Sequence, residues 1–582
     1  MSLDPSLAPG TTPGVARFPG PAGESRFDDP VATVAAYCLA EVAPALAELA
    51  RATARGQWVA GFVAYEAAPA FDPSLGTHPP TPGLPLLWFG VYDACEHNIA
   101  TRSAPKPYTL GPWQPSIEPA AYHAGIERIR DLIAAGDTYQ VNYTFPMFAD
   151  FTGEPEAWFE DLREAQRADH CAYIDTGRHA IVSASPELFF SLEGDRIRTR
   201  PMKGTSPRGR WVAEDRALGA ALLDSAKNRA ENVMIVDLLR NDLGRIAQTG
   251  SVSVVSLFDL ERYPTVWQLT SAIEARTTAS WAEVLAVLFP SGSVTGAPKI
   301  RTMQIIREIE PHPRGVYCGA IGWAGPDGRA EFNVAIRTAT IDHETGRAVY
   351  PVGGGITWDS AAEAEYAECT HKARILTHRR PSFELIETML FEGGACALLE
   401  RHLERLTASA DYFGFPLERD AALEALAAAT DGRGEPARVR LTLNARGEIR
   451  VETAPIPEPR EFRVAWGHEP VDERDIFLYH KTSERAVYER ARAAAPDADD
   501  VLLVNSRGEV TEGCIGNLVV ELEGRRYTPP VECGLLEGVF RAELLAQRQI
   551  ETRILTPKEV DASSKRWLVN ALRGWIPIGR LS

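Results

Sequence analysis

At 582 residues the chain is too long for one core and predicts two to four domains. Hydrophobic residues make up 45% and charged residues 24%, an ordinary globular composition, while the formal charge of −18 excludes nucleic-acid binding through a general basic surface. No apolar run approaches ~18 residues, which argues against a transmembrane helix. The eight cysteines show no C-x-x-C pair and no zinc spacing, as suits a reducing cytosol. A cytoplasmic protein is expected, and any anionic substrate must meet local arginines and lysines rather than a global field.

Residues 1–26, rich in proline and glycine up to Gly23, lack the basic and apolar regions of a signal peptide and read as a flexible lead-in. Residues 31–54 are alanine-rich and predict a helix, followed by short strand-like pieces that include Gly61-Phe-Val-Ala-Tyr65-Glu66. Ile126, Ile129, Leu132 and Ile133 have helical period, and Gly136 is a natural stop. Gly136-Asp-Thr-Tyr-Gln140-Val-Asn142 then reads as a strand entered through a glycine. Ser185-Pro-Glu187 follows a strand-like run and heads an apolar segment.

Arg200-Pro-Met-Lys203-Gly-Thr205-Ser-Pro-Arg208-Gly reads as a basic turn, with Lys203 between a proline that fixes the incoming backbone and a glycine that lets it turn. Taken alone it is a surface turn with a solvated lysine. A long helix is predicted over 214–247, with Glu231 on the face of Met234, Ile235 and Leu238, where a carboxylate is costly unless paired or bound to a cation. Pro290-Ser-Gly-Ser293-Val-Thr295-Gly-Ala-Pro is a small-residue loop leading into a helix over 300–308, and such a loop can present backbone N–H groups to an anion. Strand-like runs follow at 315–322, with Tyr317, and at 332–337. Arg337 ends the second run and predicts a carboxylate partner. After Gly353-Gly354-Gly355, Ser360-x-x-Glu363 reads as a capping box opening a helix on which Glu365 and Glu368 share a face. Carboxylates without soft ligands suit magnesium, or simple salt bridges.

In this order the stretches resemble the chorismate-utilising enzymes. The Pro-x-Lys-Gly-Thr pattern resembles the aminodeoxychorismate synthase component I branch, whereas anthranilate synthases carry alanine at the position of Lys203. The resemblance implies an α+β fold that begins with a chorismate-utilising α/β sandwich over 27–376. It makes Lys203 the nucleophile in an allylic displacement on chorismate and Glu187 the acid that protonates the departing hydroxyl. Gln140 stands where isochorismate and salicylate synthases place a water-activating lysine, so the incoming nucleophile is not water. Arg337, Tyr317, Thr205, Thr295 and the amides of Gly353, Gly354 and Gly355 are implied to bind substrate. Magnesium is implied at Glu231 and Glu368, with Glu365 as a lesser ligand. Gln268 departs from the pattern, since anthranilate-type enzymes carry a histidine there.

Residues 377–382 read as a linker and 383–582 as a second module. Glu400-Arg-His402-Leu-Glu-Arg405, then Tyr479-His-Lys481-Thr-Ser, then Val510-Thr-Glu512 with Asn517 five residues on, resemble the class IV pyridoxal-phosphate enzymes. That family has a two-subdomain fold. By this resemblance Lys481 joins the cofactor aldehyde, and Glu512 faces the pyridine nitrogen. Arg405 and the turn at Gly538-Val539 hold the phosphate. Ala571 stands where a hydroxyl residue is usual.

Together the modules resemble a fusion that makes 4-aminobenzoate, a folate precursor. Chorismate would be aminated with ammonia to 4-amino-4-deoxychorismate, and pyruvate would then be eliminated with pyridoxal 5′-phosphate. Consecutive reactions favour a lyase over a transaminase in the second module. The alternatives are an anthranilate synthase-like module fused to a class IV transaminase, or a scaffold of decayed modules. No Gly-x-Cys-x-Gly elbow surrounds a cysteine, so ammonia is expected from a separate glutamine amidotransferase subunit or from solution. Homodimerisation through the second module is also implied; nucleic-acid and membrane partners are not.

Overall fold

The computed structural model describes residues 14–20, 23–97, 107–373, 376, 381–458 and 460–579. Residues 1–13 of the expected lead-in and 377–380 of the expected linker lie outside these. The chain divides into two compact units, Met1–Pro207 with Gly219–Arg380, and Arg208–Leu218 with Pro381–Ser582.

The first unit is built on two antiparallel sheets, one of eleven strands and one of ten. Period-2 alternation decides which side chains go where. In the strand Trp58–Val63, Ala60 and Phe62 join Ile174, Ile181 and Phe27 of the other sheet in one core. Val59 and Val63 point the opposite way, onto the helices Leu39–Ala54 and Trp281–Leu288. Likewise Tyr173 and Val182 face the helices Pro119–Ala134 and Pro155–Gln166. The result is helix, sheet, sheet, helix, each sheet buried on both faces. Gly136, with φ +81°, follows the helix Pro119–Ala134 and admits the long strand Gln140–Gly153.

Several sequence expectations give way here. Residues 14–20 and 23–26 of the expected lead-in are built into a sheet: Val15–Gly20 pairs antiparallel with Gly23–Phe27, and Ala16 and Phe27 are fully buried. The helix expected over 31–54 begins at Leu39, because Ala32–Ala36 forms an edge strand on Leu87–Tyr92. The helix expected over 214–247 is two, Val212–Asp224 and Ala226–Gly244, divided at Ser225, whose hydroxyl caps the second by accepting from Asn228 N. The buried stripe of that second helix is Asn232, Ile235, Val236 and Leu239, so Glu231 stands at its flank.

The second unit has a four-stranded sheet ordered Ala395–Cys396, Leu385–Glu392, Ala437–Leu443, Ile449–Ala454, packed on the helices Leu399–Phe413 and Arg419–Thr430. A three-stranded and a five-stranded sheet complete it. Residues 208–218, which the sequence placed in the first module, pack here instead. Trp211 stacks on Tyr479 with ring centroids 5.3 Å apart, and Tyr412 Oη donates to Gly209 O at 2.7 Å.

Candidate active sites

The site of the first unit grows from a β-bulge. Met202 pairs with Thr270 but Thr205 with Gln268, so the strand Met202–Pro207 carries one residue more than its partner. The extra length falls at Lys203-Gly204, where Gly204 takes φ +97°. The expected turn is therefore a bulge, and it re-aims Lys203 into a cavity of about 460 Å³ lined also by Glu187, Glu231, Tyr317, Arg337 and Glu368. Burial holds Lys203 below the usual lysine range, against the opposing pull of Glu231, and Lys372 lowers it further. Glu187 follows the strand His179–Ser185, and its N–H donates to Ser185 Oγ at 3.2 Å. Burial pushes its carboxyl up to about 7, although Ser293 and Lys203 oppose the shift. A lysine held toward its neutral form thus shares a cavity with a carboxyl group held toward its protonated form.

Thr205, Gly353, Gly354, Gly355 and Glu365 line the same cavity. Gln140 is fully buried behind Gly355, with both side-chain polar atoms unpartnered among the described residues. Thr295 is not on the wall: it is buried and donates to Ser291 O and Gly292 O of its own loop. Arg337 has φ +52° between two strands and donates to Gln166 Oε1 at 3.3 Å. Among the described residues no carboxylate lies within ion-pair distance of it, contrary to expectation, although its charge helps to hold Glu368 below the ordinary carboxylate value, and Arg337 lines the cavity. Gln268 accepts from Thr205 Oγ1 at 2.9 Å and reaches the same wall.

The carboxylates bring a surprise. Ser360 does not cap through Glu363; its hydroxyl donates to Glu365 Oε1 at 2.7 Å. Lys372, which the sequence did not single out, pairs with Glu368 at 2.7 Å and donates to Gly353 O at 2.8 Å. It lies one helical turn after Glu368, a spacing that could have flagged it. Lys372 holds Glu368 below the ordinary carboxylate value, while burial raises Glu365. Among the described residues no three acidic or histidine side chains close on one point. The all-oxygen donor set of Glu231, Glu365 and Glu368 fits magnesium that also takes water and substrate oxygens, in competition with Lys372 for Glu368.

The site of the second unit is a cavity of about 470 Å³ that contains Lys481, Glu512, Arg405, Gly538, Val539 and Ala571. Lys481 is pinned by its backbone, whose carbonyl accepts from Ile386 N at 2.8 Å. Burial and Arg405 bring its amine down to about 8. Glu512 accepts from Tyr488 Oη at 2.8 Å and Asn517 Nδ2 at 3.0 Å, and burial lifts it to about 7. Arg405 and His402 share a carboxylate absent from the sequence expectations. Buried Glu387 accepts from His402 Nδ1 at 2.6 Å and from Arg405 at 2.8 and 2.7 Å. A Cβ at Gly538, where the helix Val539–Ala546 begins, would strike Asn517 Oδ1, so the residue there is held to glycine. A buried lysine, a carboxylate and an arginine beside a helix N-terminus fit pyridoxal phosphate, an aldehyde-bearing phosphate ester.

Residues 11–378 match the family described as chorismate binding enzyme, and residues 384–581 match amino-transferase class IV. Similar curated proteins include aminodeoxychorismate synthase component 1 of Salmonella typhimurium, 40% identical over 298 residues, 50% of this chain and 65% of that protein. Anthranilate synthase component 1 3 of Haloarcula marismortui is 39% identical over 49% of this chain and 56% of its own. The chain thus spans less than two thirds of the length of these relatives. Anthranilate synthase component I from Streptococcus pneumoniae TIGR4 has a similar fold, with a TM-score of 0.53 and 26% identity over 65% of this chain and 95% of that one. Class IV membership of the second module implies pyridoxal phosphate. The chain belongs to the chorismate binding enzyme family and carries a class IV amino-transferase module after it.

Proposed function

We propose that the chain makes 4-aminobenzoate in two steps. In the first unit Lys203 Nζ attacks the ring of chorismate in an allylic displacement, and Glu187 gives its proton to the departing hydroxyl, which leaves as water. Ammonia then displaces the lysine, giving 4-amino-4-deoxychorismate. Arg337 and the amides around Gly354 hold a substrate carboxylate, and Tyr317 closes the wall beside them. Gln140 offers no base to activate water, which favours ammonia. Ammonia is taken from a separate glutamine amidotransferase subunit or from solution. Glu231 and Glu368, with Glu365, would hold magnesium, which would neutralise substrate charge.

In the second unit, pyridoxal phosphate supplies an electron sink when bound. Glu512 sits where it can face the pyridine nitrogen, and Arg405 with Gly538-Val539 would take the phosphate. Lys481 Nζ, held near neutral pH, removes the ring proton. Pyruvate leaves as the ring becomes 4-aminobenzoate.

One observation carries the first step: Lys203 and Glu187 face one cavity, each biased toward its uncharged form. The test is incubation of the protein with chorismate, magnesium, ammonium and pyridoxal phosphate, with the aromatic product identified by mass. 4-Aminobenzoate with pyruvate supports both steps, and Lys203→Ala and Lys481→Ala then block at different stages. Anthranilate would overturn the reading of Lys203, and accumulated aminodeoxychorismate would overturn the lyase half.

A further inference from the structure

The cavity of the second unit is far more basic than its cofactor requires. Six arginines and Lys481 line it against one carboxylate, Glu512. Arg405 is committed to Glu387 and to the Glu537 carbonyl, and Arg485 donates to Cys514 O.

Arg438 and Arg573 are different. Arg438 lies on the strand Ala437–Leu443, two residues before Arg440 and on the same face. Arg573 lies in the turn between the strands Lys565–Asn570 and Gly574–Pro577. The Nε of each is buried and, among the described residues, has no acceptor. No described carboxylate comes within ion-pair distance of either. Arg573 has instead the ring of Phe462, 5.3 Å from its guanidinium carbon. Burial draws Arg573 below the usual arginine value, and the like charges of Arg460 and Arg438 add to the effect. Asp500 opposes the effect but stands beyond ion-pair distance, and two guanidinium groups close enough to repel, with buried donors and no paired carboxylate among the described residues, are costly without an anion. Arginine presents two donors in a plane and matches a carboxylate.

We propose that Arg438 and Arg573 form a carboxylate-binding subsite, separate from the phosphate cradle at Arg405 and Gly538, that selects a dicarboxylate substrate over monocarboxylate amino acids. The inference rests on the lyase reading above and narrows its substrate class. An amino acid with one carboxylate would leave much of the arginine charge unanswered. A substrate with a ring carboxylate and a second carboxylate on its side chain answers it at two points.

The experiment uses the full-length protein loaded with pyridoxal phosphate, with Arg438→Gln and Arg573→Gln as variants. Isophthalate and benzoate serve as dicarboxylate and monocarboxylate probes in calorimetric titrations. Isophthalate should bind the parent protein at least about tenfold more tightly than benzoate, and each variant should lose about 10- to 100-fold in isophthalate affinity, the range for a charged hydrogen-bonding partner. The cofactor absorbance should not change. KM for aminodeoxychorismate should rise by a similar factor, with kcat altered less. Equal binding of the two probes, unmoved by either substitution, overturns the subsite. Weakened cofactor binding with unchanged isophthalate affinity overturns it too, by assigning the arginines to the phosphate. If either glutamine variant fails to fold, Arg438→Lys and Arg573→Lys keep the charge and lose the planar donors, and isophthalate affinity must still fall. Arginine-dependent isophthalate binding without conversion of aminodeoxychorismate leaves the subsite standing and removes the lyase reading.

Discussion

Lys203 Nζ lies directly over Gly355: a Cβ built on Gly355 would collide with the amine and press on the Gln140 amide. The glycine is therefore the floor on which the lysine rests. In the strand Arg347–Ile356 Gly355 pairs with Asn142, so neither strand can shift to relieve the clash. Gly355→Ala should displace Lys203 and reduce chorismate amination at least about 100-fold, in line with a misplaced nucleophile. Product assays on each step separately will check this, since conversion of aminodeoxychorismate should stay at the parental rate.

On the proposed mechanism the rate of chorismate amination should fall as pH rises above about 7. Glu187 is raised to about 7 by burial, and in the proposed first step it acts as an acid, so the protonated form that step needs is lost above that value. The proposed step needs Lys203 in its neutral form, and burial favours that form at pH values where free lysine is charged. The descending limb thus belongs to Glu187. Glu187→Gln should be slower by about 100- to 10,000-fold and should lose that limb. The measurement is kcat against pH at constant free ammonia.

Glu387 ties Arg405 to His402. Burial alone would raise its pKa, but Arg405 and the hydrogen bonds from His402 and Arg405 bring it down to about 2. A depressed carboxylate stabilises the fold above its ordinary value near 4.5, and that contribution, on the order of 3 kcal/mol, is lost as pH falls from there to about 2. Glu387→Gln should abolish this acid dependence in denaturant titrations. It should also weaken pyridoxal phosphate binding about tenfold or more by freeing Arg405, read from cofactor absorbance during dialysis.

Trp211 packs with Tyr479, Tyr488 and Val501 in the core of the second unit. Trp211→Ala should cost about 3–5 kcal/mol of that unit's stability, the range for deleting a buried large aromatic. Thermal unfolding followed by cofactor absorbance reads this unit. The neighbouring residues Tyr479 and His480 lead directly into Lys481, so the same variant should also lower the proposed conversion of aminodeoxychorismate.

Lys203, Glu187, Arg337, Lys481, Glu512 and Arg405 were legible only through motifs that resemble two known families, since each taken alone reads as a turn, a strand end or a solvated helix face; in the fold they line two cavities. What a stretch cannot show is which distant groups share its cavity. Glu387 between His402 and Arg405, and the pair Arg438 and Arg573, join residues on different elements, and the spacing of Lys372 from Glu368, one helical turn, does not show that Lys372 also reaches the Gly353 carbonyl. The withdrawal of Thr295 from the cavity wall was equally invisible, because its partners are carbonyls of a loop whose path depends on packing.

The sequence by itself determined the two modules and their order, through short motifs that resemble two known families, and it determined where helical and strand periodicity lie, since these are properties of neighbouring residues. Tertiary structure alone decided that Lys203 stands on a bulge rather than a turn, because a bulge exists only relative to the partner strand that has one residue fewer. It also decided that residues 208–218 join the second unit, where Trp211 finds a ring to stack on and Arg208 reaches the Tyr412 carbonyl at 3.1 Å. Burial is a property of the folded chain, so the pKa of each lysine and glutamate, and with it the chemistry, was set only when the surrounding elements closed.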